Sequence, residues 1–296
     1  MIEKEIKRNQ PAAKLLRQFC DKASGKVFTS RKELQHRFDG LDWAIQKKFL
    51  EASIRSGLSD REWALKKLYK MWDKSFIPIV QEYWEQYHED SATWIVIKHF
   101  PTDFLEANMD RLLGGRNYFF ICMRLGHKKD FVVDKEKLTP FDYLYVMYTL
   151  GRKISDEGAM ECIYLTARQV AEDEDGYWLN RPRHESRYSV ASPIIFRNLY
   201  MAEFYIREMG LTKASDEFNG WRRKVADDVE RSEAYRTLED SNCHDEEYNE
   251  ALFNLVAKSV LQCLPDDYRH DHLKEMTAKN EALNILVEKL SLKETT

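Results

Sequence analysis

The residues best equipped for chemistry gather in one stretch, where Arg181, Arg183 and Arg187 are interleaved with Tyr177, Trp178 and Tyr188. Guanidinium forks grip carboxylates and phosphates, and aromatic faces stack on bases or on other side chains. These six residues form the candidate partner-binding set. The plainer reading is a connecting segment whose arginines pair with its own acids, among them Glu172-Asp173-Glu174-Asp175.

Other reactive residues are less well placed. His270 and His272 would point about 200° apart on a helix, so they cannot share a metal there without help from elsewhere. His244-Asp245-Glu246-Glu247 suits the first turn of a helix, where negative charge meets free N–H groups. His99 stands at a helix end, where it could serve free carbonyls. Runs of carboxylates such as Glu172–Asp175 and Asp227-Asp228 repel one another into water, whereas acid–base catalysis needs one carboxyl desolvated. The chain holds no GxSxG elbow, glycine-rich phosphate loop, HExxH or DxDxDG loop. No catalytic residue, cofactor or metal is expected, and a non-enzymatic role is favoured over an enzyme on a helical bundle.

The elements that must position these residues read as helices. Abundant aromatics (7 Trp, 15 Tyr, 15 Phe) with only 11 Gly and 7 Pro favour helix packing over loop-rich β architecture. Tight punctuation supports this. Gly57-Leu58-Ser59 reads as a helix end meeting a helix start, with Glu62 completing a capping box. Thr139-Pro140 and Ser192-Pro193 each place a capping hydroxyl before a first-turn proline. Phe100-Pro101-Thr102-Asp103 and Leu264-Pro265-Asp266-Asp267 also put proline and acid in a first turn. Gly40, Gly114, Gly126, Gly151 and Gly210 follow helical stretches as terminators. Leu65, Leu68, Tyr69 and Trp72 fall on one helical face, as do Tyr248, Leu252, Leu255, Val256 and Cys263.

The spacing predicts helices over 4–22, 30–39, 42–56, 59–72, 75–88, 91–99, 102–113, 116–125, 140–150, 155–171, 193–209, 213–238, 244–263 and 266–290. Phe131-Val132-Val133 is the best strand signal and stands alone.

Arg61-Glu62-Trp63 can be laid over Ala92-Thr93-Trp94, and Arg124-Leu125-Gly126 echoes Thr149-Leu150-Gly151. With Pro78 inside a first helix and Asp60 followed by Lys66, residues 40–171 resemble the HEAT and armadillo class of α-solenoids. That resemblance implies an all-α fold of antiparallel helix pairs stacked as an irregular superhelix. The expected organisation is a helical-repeat array over 1–171, a long loop over 172–191 and a C-terminal helical bundle over 192–296. Trp63 and Trp94 are expected to fill seams between helices.

Five scattered cysteines without a CxxC pair read as reduced thiols. The charged start lacks a signal-peptide core, and no uncharged apolar run reaches bilayer length. A cytoplasmic protein without membrane contact is expected. The net charge of −4 is unevenly spread, since residues 1–72 carry 17 Lys/Arg against 9 Asp/Glu while residues 151–296 carry 20 against 29. The leading expectation is a binding or scaffolding protein that presents a helical groove to a protein or peptide. The alternative is a nucleic-acid binder using the basic N-terminal segment and the arginine loop.

Overall fold

The computed structural model describes residues 14, 31–56, 61–181, 196–241, 245–269 and 273–293. Several expectations lie outside these residues: the 57–59 turn, Ser192-Pro193, His244, His270, His272, Cys20, Cys243 and most of the 4–22 helix. Every regular element among the described residues is helical, and the 131–133 run joins no strand. None of these helices is long and apolar enough to cross a membrane. The chain divides into two compact units, Met1–Leu125 and Gly126–Thr296.

In the N-terminal unit the helices are α1 (Arg31–Asp39), α2 (Trp43–Ser56), α3 (Arg61–Lys70), α4 (Ile77–Tyr87), α5 (Asp90–His99), α6 (Thr102–Ala107), α7 (Met109–Leu112) and α8 (Asn117–Leu125). Each packs on near neighbours in sequence: α2 on α3 and α4, α5 on α3, α4 and α8. A set of side-chain hydrogen bonds between helices spans 24 to 29 residues of sequence. It includes Trp63 Nε1 to Gln35 Oε1, Arg55 to Glu82, Lys98 to Tyr69 Oη, and Arg124 to the carbonyls of Ile97 and Phe100. Trp63 is buried edge-on against Phe38 and Phe49, as expected. Trp94 stays partly exposed, packed at 4.3 Å on Phe120.

The C-terminal unit contains α9 (Pro140–Thr149), α10 (Asp156–Glu172), α11 (Gly176–Asn180), α12 (Arg197–Glu208), α13 (Thr212–Arg231), α14 (Glu233–Asp240), α15 (Glu246–Cys263) and α16 (Leu273–Lys293). Thr139 starts α9 as read, its hydroxyl accepting from Asp142 N at 3.1 Å beside the first-turn Pro140. Gly151 (φ 61°) and Gly210 (φ 70°) end α9 and α12 in the left-handed conformation. The next N–H in each case, from Arg152 or Leu211, reaches back to the carbonyl five residues earlier. Helix α15 is apolar on nearly every side because α10, α13, α14 and α16 surround it.

Three features differ from expectation. Residues 140–172 share one core with α12, α13 and α15, so 172–191 connects parts of one unit. The 213–238 helix breaks at Ser232, whose hydroxyl accepts from Tyr235 N and donates to Val229 O. The 102–113 helix breaks at Asn108, whose side-chain amide takes the Phe104 carbonyl. In both cases a short polar side chain competes with the helical ladder.

Candidate partner-binding site

Helix α11 governs the expected binding segment. Asp173 folds an Asx-type turn by accepting from Asp175 N at 2.9 Å, and Gly176 is pressed against the end of α10. That approach drives Tyr177 into the core, 4% exposed, with its ring on Phe253 and its hydroxyl donating to Glu246 O at 3.3 Å. Burial and then the Glu246 and Glu250 charges push the Tyr177 phenol up to about 12. Tyr177 is therefore an anchor. Trp178 is 51% exposed with the Arg181 guanidinium 5.4 Å above its ring, and Arg181 Nη1 lies 3.3 Å from Glu246 Oε1. Arg181 thus pairs across to α15 rather than with Glu172–Asp175. The remaining candidates, Arg183, Arg187 and Tyr188, lie outside the described residues.

A second surface runs over α3, α5 and α8 as a chain of ring contacts. Phe119 meets Phe120 at 5.0 Å, and Phe120 meets Trp94 at 4.3 Å. Tyr69 meets the His99 ring at 5.4 Å, and His99 stacks on Trp72 at 4.5 Å with 13° between planes. Lys98 foremost, and Trp94 with it, hold the Tyr69 phenol below its usual value, which puts Trp94 beside Tyr69. All six rings are partly exposed. The cations beside them are engaged inside the protein: Lys98 with Tyr69, and Arg124 with three carbonyls at the end of α5.

Arg124 therefore does the work the sequence suggested for His99. The His99 Nε2 is buried without a partner, and burial, Lys98 and Arg124 together hold its pKa below the usual histidine value. The unfolded histidine titrates at about 6.5, so below that pH the unfolded chain binds protons that the folded state refuses, and stability is lost as the pH falls. His99→Phe keeps the stack on Trp72 but cannot titrate. Between about pH 7 and about pH 5 the wild-type melting temperature is expected to drop relative to His99→Phe; parallel pH profiles would refute this.

A third feature is a cavity of about 120 Å³ between α2, α3 and α4, lined by Ile54, Arg55, Arg61, Ile79, Glu82, Tyr83, Gln86 and Tyr87. The Arg61 guanidinium stands 5.3 Å from the Tyr83 ring and 4.6 Å from the Tyr87 ring. No local motif announces this site, because its members come from three helices.

Among the described residues no group of three or more His, Cys, Asp or Glu is arranged to hold a metal. Cys122, Cys162 and Cys263 are buried and outside any disulfide, and burial pushes the Cys162 thiol up to about 12, far from a reactive thiolate. Comparison with family models, with curated proteins and with solved structures gave no match to this chain.

Proposed function

We propose that the protein is a cytoplasmic, non-enzymatic binding or scaffolding protein whose N-terminal unit stacks helix pairs in the HEAT manner and receives a polypeptide partner. The observation that supports this most is the band of six partly exposed rings across α3, α5 and α8. Partly exposed aromatics on rigid helices are the usual anchors of protein interfaces. Hydrogen bonds between helices that each span 24 to 29 residues of sequence in this unit support the stacked-pair reading.

The competing reading, binding of nucleic acid, needs cations free to neutralise phosphates. In the N-terminal unit Lys47, Arg55, Lys66 and Lys67 each pair with a carboxylate, and Lys98 and Arg124 are held as described. The geometry favours a polypeptide.

A photoreactive phenylalanine analogue at Phe120 tests the choice. Protein adducts that are lost when Trp94→Ala is added are the expected result. Nucleic-acid adducts, with binding that weakens steeply as salt is raised, would replace the proposal by its competitor.

A further inference from the structure

The aromatic band carries its own charge. On α5, Lys98 follows Trp94 by four residues, and on α8, Arg124 follows Phe120 by four. Residues four apart share a helix face, so each ring has a cation one turn beyond it. The two helices meet at the rings, through Trp94 and Phe120, and again at the cations, where Arg124 donates to the Lys98 carbonyl. Lys98 itself is exposed and lies 4.3 Å over the Tyr69 ring, between the Trp94–Phe120 pair and the Tyr69–His99–Trp72 stack.

Among the described residues no carboxylate neutralises these two cations. Lys98 donates to the Tyr69 hydroxyl and Arg124 to main-chain carbonyls, all of them uncharged acceptors. Helix α8 holds no acid, and the one acid of α5, Asp90, stands at its far end. The free carbonyls that end α5 carry about half a negative charge, which offsets only part of two positive ones. Two neighbouring groups register the remainder. Lys98 lowers the Tyr69 phenol, and Lys98 and Arg124 add to burial in lowering the His99 imidazole. Both shifts have the sign that a positive potential imposes.

We propose that the band binds an acidic–apolar segment of its partner, an aspartate or glutamate on Lys98 and a neighbouring large apolar side chain on Trp94 and Phe120. An ammonium has three donors, of which Tyr69 takes one, so Lys98 can hold a carboxylate without giving up its place. The apolar rings beside it keep water from one flank, where an ion pair is screened less than in open solvent. A nucleic-acid strand suits the band less well. It brings a phosphate with every nucleotide and stacks its bases on open ring faces, whereas Trp72 already has His99 stacked on one face. An acidic–apolar partner depends on the polypeptide reading of the band and makes it more specific.

The test selects a phage-displayed library of random peptides on the immobilised full-length protein and sequences the bound pool. The wild-type pool should be enriched in Asp or Glu next to aromatic or large aliphatic residues. Lys98→Gln should keep the apolar enrichment and lose the acidic one. It should also weaken a selected peptide about fivefold, the upper end for an exposed ion pair. Lys98→Arg keeps the charge and should retain the acid preference, while Trp94→Ala should remove binding. Trp94-dependent peptides without acid enrichment, or an acid preference untouched by Lys98→Gln, would overturn the proposal and leave the band a peptide site. Oligouridylate that displaces the selected peptides at concentrations below their own dissociation constants would overturn it in favour of a nucleic acid. A pool with no Trp94-dependent binder would remove the proposal together with the polypeptide reading itself.

Discussion

Trp84→Ala is expected to destabilise the N-terminal unit by about 3–5 kcal/mol, the largest single-residue effect anticipated for it. Trp84 is 0% exposed and stands where α4, α5 and α6 converge. Its indole N–H donates to Thr93 Oγ1 at 3.0 Å, its ring meets Phe104 edge-on at 5.9 Å, and Arg111 covers it at 4.6 Å. Truncation leaves a large void and strips Thr93 of its donor, while Thr93 continues to donate to Glu89 O. Trp84→Phe restores most of the volume but not the hydrogen bond, so about 1–2 kcal/mol should remain lost. Denaturant unfolding followed by circular dichroism measures both. If the alanine and phenylalanine variants lose the same amount, the void is not what carries the penalty.

Gly176→Ala is expected to cost the C-terminal unit about 2–3 kcal/mol, near the upper end for overpacking. A methyl group there would sit 2.4 Å from the Val170 carbonyl oxygen and 3.3 Å from Phe253 Cζ. The first neighbour is backbone of α10 and cannot rotate away. Helix α11 must therefore shift, and Tyr177 would be drawn from its place beside Phe253. Shrinking the ring with Phe253→Leu relieves only the softer contact and should not rescue the variant. The readout is again denaturant unfolding. A loss below about 0.5 kcal/mol, within the range of ordinary surface substitutions, would mean that α10 and α11 separate more easily than their packing suggests.

The helices were legible because their signals are local. Thr139-Pro140, Gly151 and Gly210 each act within a few residues, and the structure uses them as read. Breaks at Asn108 and Ser232 were missed because apolar periodicity continues through both positions. Only the side-chain hydrogen bonds reveal the interruption. Helix α11 was hidden for another reason: five residues are too few to show a period, and what orders them is the burial of Tyr177 against Phe253 of α15.

The candidate site was legible only in part. Trp178 and Arg181 do meet at the surface, whereas Tyr177 serves the core. Tyr69 and Trp72 were read with Leu65 and Leu68 as one helical face, and both contribute to the partly exposed band while the two leucines are buried. The Arg61 cavity joins residues from α2, α3 and α4, and such convergence leaves no trace in linear spacing.

The reach of the hydrogen bonds along the chain also bears on how each unit is born. In the N-terminal unit Trp63 finds Gln35, Lys98 finds Tyr69 and Arg124 finds Ile97, so each bond can close once about thirty residues have left the ribosome. In the C-terminal unit Arg168 bonds to Tyr268 O across 100 residues, and Lys279 reaches Asp173 O across 106. The first unit can consolidate progressively during synthesis, while the second must wait for its last helix.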